Sequence, residues 1–491
     1  MALSEQSNPM RWPAGPLDIA LQEKTKGFTT DKAAVLRNWL DPATLGILQG
    51  TPVNTLVVSW AAGLPADSEQ QQALTPLIEK GREAGVGLVG VIDGEANTSV
   101  GIAAARSAGL IAVAMEGEAP ADAGIPVIQR NADARIRWDG RSPVLSLSNG
   151  IWPGIPQDVN QAGGPTNLPW VDSNGAALRI ARALAPEKDV WIEFNPPQQA
   201  TAQTAEAYML AVADPASYGA RWVVSLDDGL RADLSAKKQP AMDSWKKTMG
   251  MMAFFKEHNQ SKSYQPMGRL ALVSNFTGDD WDRGEETLNL LPRLREPARV
   301  IARSRAASAS FAGLEAIYYT DQEPPDAALR AKLLAFAQGG GILFVPSKWP
   351  NPEGTPAPAE AYLLFKLHTV GKGHLAVCKE ETPDPYDLTA DLQTIMSHRY
   401  DPIRLYNASS MNFFYETSAQ GKQGVIHLLN YSRRAASDGP LFYVKNPHRT
   451  ARLVSPELAS PAELHWAPQE AGRSELALPK IAVYGAVELE S

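Results

Sequence analysis

Cysteine is nearly absent from this chain, and histidine is absent from its first half. The one cysteine, Cys378, excludes a disulfide within the chain and a metal site built from several thiolates. All seven histidines lie after residue 257, beginning with His258. Residues 1–257 therefore cannot form a Ser-His-Asp triad, a Cys-His pair or a histidine-ligated zinc site. Any acid–base or nucleophilic chemistry in that half must use carboxylates.

The chain also lacks an excess of positive charge and any long apolar run. A net charge of −8 and a pI near 5.5 argue against nucleic acid or an anionic membrane as a partner, because both require a basic face. No apolar run approaches the roughly 20 residues of a membrane span, and residues 1–13 lack the apolar centre of a signal peptide. The compartment stays open: periplasmic or secreted if a signal peptide has been removed, and otherwise cytoplasmic.

The chain has the composition of a soluble globular protein and is too long for one ordinary core. Hydrophobic residues make up 44% of its 491 positions, and charged residues make up 20%. A chain of this length is expected to divide into two or three domains. Changes in the residue pattern predict three, covering residues 1–262, 263–398 and 399–491.

Short apolar runs that end in an acid recur in the first of these segments. In the run 190–194, three apolar residues lead into Glu193, and Pro196 and Pro197 then end the strand. Parallel α/β barrels hold their chemistry at the carboxyl ends of buried strands. We therefore hypothesise that the acids ending these runs surround one pocket. The other runs end in Asp93, in Glu116, and in Asp227 and Asp228.

Strand and helix patterns alternate about seven or eight times over ~250 residues, which is the size of one (β/α)₈ TIM barrel. Residues 16–21 are the candidate for its first strand. Residues 263–398 predict a smaller doubly wound α/β domain, in which a helix at 325–338 ends at three glycines before the strand 342–346. Short alternating strands after residue 399 predict an antiparallel β-sandwich.

This domain order resembles a group of multidomain glycoside hydrolases, in which a barrel precedes an amidotransferase-like domain known from β-galactosidase trimerisation. The matching stretches are 286–291 (ETLNLL), 339–346 and 425–431 (VIHLLNY). The resemblance implies hydrolysis of a carbohydrate substrate without a metal or organic cofactor. It also implies that the second and third domains support the barrel or build an oligomer. The amidotransferase-like domain should be catalytically inactive, because Cys378 lies within a strand and not at a strand–helix elbow.

The same resemblance implies roles for two acids. If residues 16–21 form strand one, Glu116 ends strand four and Glu193 ends strand seven. In the large retaining clan of these enzymes, those positions hold the general acid/base and the nucleophile. The usual Asn-Glu pair of strand four is here Met115-Glu116. Glu118 competes for the acid role, and Asp93, Asp227 and Asp228 compete for either role. Glu193 has an alternative interpretation as a barrel-rim acid in a salt bridge.

Several residues are candidates for contacts with a sugar. Indole rings offer an apolar platform for sugar C–H groups, although any single tryptophan is equally explained by packing. Asp172 or Ser173 has the alternative role of capping the helix that begins near residue 175. The candidates are Trp60, Asp93, Asn149, Trp152, Trp170, Asp172, Asn174, Asp227 and Asp228.

Two other classes of protein stay open. One is a non-catalytic carbohydrate-binding or assembly protein on a degenerate barrel. The other is a lyase or isomerase that uses the acids around a divalent metal, for which oxygen ligands suffice.

Overall fold

The structure of the protein is a computed structural model. It describes the chain except for residues 1–2, 4–5, 26, 95–97, 132–140, 157–169, 198–202, 259–262, 358–361, 433–438 and 446. The chain forms two compact units: Met1–Pro153 with Ala185–Asn259, and Gly154–Leu184 with Gln260–Ser491. None of the described helices is both long and apolar enough to cross a membrane.

The first unit contains an eight-stranded parallel sheet in which the strands follow one another in chain order. The last strand returns to the first through a parallel bridge between Met10 and Val224, where the Arg11 N–H donates to the Val224 carbonyl at 2.8 Å. The predicted barrel is therefore confirmed. Its strands are β1 (Pro9–Arg11), β2 (Thr55–Ala61), β3 (Gly87–Ile92), β4 (Ala112–Met115), β5 (Val127–Asn131), β6 (Val144–Leu147), β7 (Asp189–Ile192) and β8 (Arg221–Trp222).

The first strand differs from the prediction. Residues 16–21 lie in a helix, Pro16–Gln22, and the strand lies earlier. Proline is well suited to the first turn of a helix, where its missing N–H has no partner to lose, and Gly15 supplies the positive φ of +97° just before it. The strand count is unchanged by this correction. Glu116 still follows the fourth strand, and Glu193 still follows the seventh.

Helices connect most of the barrel strands, as the alternation predicted. Residues 116–126, between β4 and β5, are described in full and contain no helix. The helix between β6 and β7 belongs by its residues to the second unit. In chain order the helices are α1 (Pro16–Gln22), α2 (Thr30–Asn38), α3 (Ala66–Ala73), α4 (Thr75–Glu83), α5 (Thr98–Ala108), α6 (Gly175–Leu184), α7 (Ala205–Ser217), α8 (Asp228–Ser235) and α9 (Gln239–Glu257).

Alternate residues of the strands fill the barrel with apolar side chains. One buried cluster joins Val91, Ala114, Ile128, Val144 and Trp191, which come from five consecutive strands. Because side chains alternate between the faces of a strand, the position two residues further along each strand lies on the same inner face at the carboxyl end. Those positions are occupied by Asp93, Glu116, Arg130, Ser146 and Glu193. Along the inner face of each of these strands, an apolar residue lies inside the barrel and a polar residue lies at its mouth.

The second unit contains a seven-stranded mixed sheet in the order β11-β10-β12-β13-β16-β15-β14, whose first five strands are parallel. Its likeness to an amidotransferase domain stays a prediction. The strands are β10 (Leu270–Ser274), β11 (Ala298–Ala302), β12 (Ala316–Tyr319), β13 (Ile342–Val345), β14 (Thr355–Pro356), β15 (Phe365–Val370) and β16 (Gly373–Cys378). The helices are α10 (Asp279–Arg293), α11 (Arg303–Ala306), α12 (Ala327–Gln338) and α13 (Pro385–Met396).

Two antiparallel sheets of the same unit enclose one apolar core, which includes Phe413, Leu428, Phe442 and Leu476. One has the order β17-β20-β24-β23, and the other has the order β22-β21-β25-β19-β18-β9. The short β9 belongs to this second sheet although it lies before residue 399, where the β-sandwich was predicted to begin. The predicted domain boundaries stay a prediction. These strands are β9 (Gln265–Pro266), β17 (Ile403–Tyr406), β18 (Met411–Thr417), β19 (Gln423–Asn430), β20 (Leu441–Lys445), β21 (Thr450–Val454), β22 (Ala462–Leu464), β23 (Trp466–Pro468), β24 (Arg473–Ala477) and β25 (Tyr484–Glu490).

A buried ionic cluster lies around Arg269, the residue before β10. Arg269 donates to both oxygens of Glu296, from Nε at 3.1 Å and from Nη2 at 2.8 Å. The same guanidinium contacts Glu315 at 3.0 Å and Asp401 at 2.6 Å, and it donates to the Ser397 carbonyl at 2.7 Å. One arginine thus forms ion pairs with three carboxylates. Asp401 also lies 3.3 Å from the Arg404 guanidinium and 2.8 Å from Nδ1 of His398.

Glu296 should make folding stability depend on pH. Burial raises the pKa of Glu296 from 4.5 to about 7; Arg269 opposes the rise, and Asp401 and Glu315 add to it. The folded state therefore holds this proton more tightly than the unfolded state does. The contribution of Glu296 is present below pH 4.5 and is lost as pH rises to about 7, with a magnitude of about 3 kcal/mol.

The measurement is the free energy of unfolding, followed by urea titration between pH 4.5 and 8, for wild type and Glu296→Gln. The amide mimics the protonated acid, so the two proteins should match at low pH and the variant should be the more stable one above pH 7. A difference that does not change with pH would show that Glu296 does not titrate in this range.

Candidate active site

Side-chain hydrogen bonds from two neighbouring strands hold the Glu193 carboxylate at the mouth of the barrel. Arg130 of β5 binds both of its oxygens, with Nε donating to Oε1 at 3.0 Å and Nη2 donating to Oε2 at 2.9 Å. The Ser146 hydroxyl of β6 donates to Oε1 at 2.7 Å. Charge-assisted hydrogen bonds of this kind stabilise a carboxylate and fix its orientation. The Glu193 side chain is 20% exposed, so the group stays in reach of a ligand.

Arg130 brings the other acids of the mouth together with Glu193. Its Nη1 lies 3.4 Å from Oδ1 of Asp93, and the charge of Glu116 also acts on it. Burial by itself lowers the pKa of Arg130, but the hydrogen bond to Glu193 and the charges of Glu193, Asp93 and Glu116 together raise it. The group is therefore a cation in contact with Glu193 and Asp93, and the charge of Glu116 also acts on it. Three of the predicted acids, Asp93, Glu116 and Glu193, thus belong to one cluster.

The sequence interpretation did not include Arg130 or Ser146. Arg130 lies in β5 and Ser146 in β6, and the inner-face row that contains Ile128 and Val144 leads directly to them. That row can be traced only when it is known which residues of each strand face the inside of the barrel, which we call the phase of the strand. With the phase known, a basic residue two positions beyond Ile128 would have been expected at the mouth.

Glu116 differs from Asp93 and Glu193 in its hydrogen bonding. It is exposed at the end of β4, and no hydrogen bond to its carboxyl group is found within the described residues. Its competitor Glu118 is also exposed. Glu116 directly follows β4, at the inner-face position after Ala114, whereas Glu118 lies two residues further along, beyond the end of the strand. The charge of Glu116 acts on Arg130.

Asp227 and Asp228 have structural partners instead. Asp227 is 4% exposed and caps α8, accepting from the Leu230 N–H at 2.8 Å and from the Tyr208 hydroxyl at 2.8 Å. Asp228 lies in the first turn of α8, where it forms an ion pair with Lys32 at 2.8 Å. Asp227 thus acts as a helix cap and Asp228 as an ion-pair partner, and their predicted roles in the site stay untested predictions.

Two of the tryptophans that are candidates for sugar contacts lie in the first unit, and they differ in burial. Trp60 is 1% exposed, and its indole N–H donates to the Gly101 carbonyl at 3.0 Å. This burial is that of a packing residue, and the predicted contact of Trp60 with a sugar stays an untested prediction. Trp152 is partly exposed and packs edge-on against Phe194 and Trp222, with ring centroids 6.1 and 5.8 Å away. Trp152 stays a candidate.

Asn149 lies at the mouth, whereas Asp172 and Asn174 belong to the second unit. Asn149 is exposed and precedes Gly150, whose N–H donates to the Glu193 carbonyl at 3.1 Å. In the second unit, burial raises the pKa of Asp172, which accepts from the indole N–H of Trp170 at 3.1 Å. Asn174 is 4% exposed, and its carbonyl accepts the first hydrogen bond of α6. Their predicted contacts with a sugar stay untested predictions.

Within the described part of the chain, no group of three or more histidines, cysteines and acids could hold a metal ion. Asp93 and Glu193 share a guanidinium there instead. The alternative of a metal-dependent lyase or isomerase therefore has no ligand set among those residues.

The fold is one found in TIM-barrel glycoside hydrolases. The α-L-fucosidase isoenzyme 2 from Paenibacillus thiaminolyticus aligns with a TM-score of 0.59 at 10% identity, covering 98% of this chain and 99% of that one. An exo-β-1,4-mannosidase from Opitutaceae bacterium strain TAV5 aligns at 0.45 and 12% identity, covering 80% and 96%. The β-galactosidase Gan42B aligns at 0.44 and 9% identity, covering 86% and 67%. The last two scores are too low to support an argument, and identities this low indicate fold alone.

Sequence comparisons add nothing to this likeness. No protein-family profile and no curated sequence matches the chain. The resemblance to multidomain glycoside hydrolases noted from the sequence is confirmed at the level of the fold.

Proposed function

We propose that the protein is a glycoside hydrolase that acts by a retaining double displacement, with Glu193 as nucleophile and Glu116 as general acid/base. The observation that carries this proposal is the Glu193 carboxylate, which Arg130 and Ser146 hold at the carboxyl end of β7. Glycoside hydrolysis requires two carboxyl groups, one ionised and one protonated, on either side of the scissile bond.

In the first step an oxygen of Glu193 attacks the anomeric carbon, and the bond from that carbon to the leaving oxygen breaks. Glu116 gives its proton to the leaving oxygen. In the second step Glu116 takes a proton from water, the water oxygen bonds to the anomeric carbon, and the ester bond to Glu193 breaks. Both transition states carry positive charge on the sugar ring, which suits a mouth with three acids and one Arg130 cation.

Hydrogen bonding favours Glu116 over Asp93 as the proton donor. Asp93 lies 3.4 Å from the Arg130 guanidinium, so its carboxylate is already engaged in an ion pair. Glu116 has no such hydrogen bond within the described residues, so its carboxyl group is available to a glycosidic oxygen.

A non-catalytic carbohydrate-binding protein is the second candidate. The bidentate Arg130–Glu193 pair favours it, because the same contact would also serve as a purely structural salt bridge across the barrel. In that case the barrel would bind a sugar without hydrolysing it.

The test is hydrolysis of a panel of aryl glycosides and oligosaccharides in both anomeric forms. The proteins are wild type, Glu193→Gln, Glu116→Gln and the control Glu187→Gln, since Glu187 is exposed at the opposite end of β7. Wild type and Glu187→Gln should cleave the same substrate, and the other two should lose on the order of 10³-fold or more.

NMR of the first-formed sugar should show retention of the anomeric configuration. Saturable sugar binding by wild type without turnover would support the second candidate. Full activity in Glu193→Gln would contradict the proposed nucleophile.

A further inference from the structure

A second arginine, Arg11, ends β1 at the same mouth, and part of its guanidinium is open to a ligand. Its Nη2 donates to the Ser59 hydroxyl at 2.6 Å and lies 3.6 Å from Oδ1 of Asp18. Its Nε and Nη1 have no hydrogen-bond partner among the residues that the structure describes, and the side chain is 27% exposed. Resting on the proposed function, we propose that Arg11 binds an anionic group, a carboxylate or a sulfate, on the sugar whose glycosidic bond is cleaved.

The strand register places Arg11 on the inner face of the barrel. Arg11 pairs with Val57 of β2, and Val57 belongs to the apolar cluster inside the barrel. Paired residues of neighbouring strands point to the same face of a sheet. The contact of Arg11 with Ser59, two residues beyond Val57 on the same face, agrees with this placement. The guanidinium therefore belongs to the ring of polar side chains at the carboxyl ends of the strands.

One intervening strand, β8, separates Arg11 from the strand of Glu193. The parallel bridge that closes the barrel sets Ser225 opposite Arg11. The Ser225 hydroxyl donates to Oδ1 of Asn195 at 2.7 Å, and Asn195 is the next inner-face position after Glu193. Two strand spacings put β1 and β7 ~10 Å apart along the sheet. A sugar that presents its anomeric carbon to Glu193 can therefore present another substituent to Arg11.

Buried neighbours hold the guanidinium in place and leave its other donors unused. Oδ1 of Asp18 accepts from the Ser59 hydroxyl at 2.9 Å, and Oδ2 accepts from the Ala14 N–H at 2.9 Å. Asp18 is 4% exposed and Ser59 is 2% exposed, so both belong to the packed wall of the barrel. Guanidinium N–H groups match the oxygens of a carboxylate or a sulfate in both geometry and charge. Arg11 is thus oriented before any ligand arrives.

The charges at the mouth determine which side an anionic substituent should face. Arg130 already contacts two acids, Glu193 and Asp93, on the side formed by β3 to β7. Like charges repel an anionic group that approaches those acids. On the side of β1, Arg11 offers a cation with open donors, and Asp18 beside it already accepts two hydrogen bonds. An anionic sugar therefore gains most when its charged group faces β1.

Two other roles for Arg11 predict different results. If Arg11 only joins β1 to β2 through Ser59, its replacement changes stability and leaves the choice of substrate unaltered. If its N–H groups bind a neutral hydroxyl, its replacement lowers activity equally on neutral and anionic glycosides. Recognition of an anion makes the loss depend on the charge of the sugar.

The experiment measures kcat and KM on matched aryl glycosides in both anomeric forms. Each set contains a neutral hexoside, the corresponding uronide and the hexoside sulfated on its primary hydroxyl, in the glucose and galactose series. The proteins are wild type, Arg11→Gln, Arg11→Lys and the control Arg37→Gln, since Arg37 is an exposed arginine of α2. The anionic member that wild type prefers identifies the carboxylate or the sulfate as the ligand of Arg11.

Wild type and Arg37→Gln should prefer that anionic member over its neutral counterpart. Arg11→Gln should lose on the order of 10²-fold in kcat/KM on the anionic member, mainly through KM, and should keep its activity on the neutral one. Arg11→Lys should lie between the two, because it returns the charge without the planar fork. An equal loss on both members, or an unchanged preference in Arg11→Gln, would overturn the proposal. If circular dichroism shows that Arg11→Gln is unfolded, an unchanged preference in Arg11→Lys overturns it instead.

A calorimetric titration with glucuronate, galacturonate and the sulfated sugars separates this proposal from the proposed function. If wild type cleaves no glycoside, the proposed hydrolysis fails. Saturable binding of one anionic sugar by wild type and Arg37→Gln, lost in Arg11→Gln, would still support Arg11 as the anion-binding residue. Absence of both hydrolysis and binding would overturn the two proposals together.

Discussion

Replacement of Glu193 by alanine is expected to lower the hydrolysis of an activated aryl glycoside on the order of 10⁴-fold, and sodium azide is expected to restore much of it. Loss of a nucleophile removes the covalent step itself, so its effect is among the largest that a single substitution produces. Arg130 and Ser146 remain in the variant and frame the space that the carboxylate leaves. A small anion fits that space and can attack the anomeric carbon directly.

The configuration of the glycosyl azide identifies the role of each acid. Azide in Glu193→Ala should give the product with inverted configuration, since only one displacement occurs. Azide in Glu116→Ala should give the retained configuration, because it replaces water in the second step. The opposite pattern would exchange the two roles, and full activity in Glu193→Ala would direct attention to Asp93.

Replacement of Arg269 by methionine is expected to destabilise the second unit by about 3–5 kcal/mol near pH 8. The substitution leaves Glu296 and Asp401, both buried, without the cation that contacts them at 2.8 and 2.6 Å. An uncompensated buried carboxylate is among the most unfavourable groups in a protein interior. The measurement is the urea midpoint of unfolding, with Arg305→Met as a control because Arg305 is an exposed arginine of α11.

The same variant should show a smaller loss near pH 5. Glu296, with its pKa raised to about 7 chiefly by burial, is then protonated in the folded state and needs no cation. The double variant Arg269→Met/Glu296→Gln should likewise recover part of the lost stability at pH 8. A loss equal to that of Arg305→Met would show that the cluster contributes little to folding.

Much of the site followed from local patterns. Apolar runs that end in an acid predicted that Asp93, Glu116 and Glu193 lie at the carboxyl ends of strands, and strand periodicity carries that information without any tertiary contact. The distribution of histidine restricted the chemistry of the first half to carboxylates. The alternation of strands and helices predicted the barrel.

Other features required the folded chain. Asp227 ends an apolar run as Glu193 does, but a helix begins directly after it. Asp227 caps that helix by accepting a hydrogen bond from the Leu230 N–H. Trp60 shares the strand-end position of a binding residue, and only packing shows that it is buried.

The sequence by itself determined the barrel, the presence of acids at its mouth and the absence of histidine from that half, because each depends on composition or on a period of two to four residues. The tertiary structure alone decided that Arg130 joins Glu193 to Asp93. The two contacts bring together residues 63 and 37 positions apart in the chain. Such a pairing depends on strand phase and on the closure of the barrel, and no local pattern encodes either one.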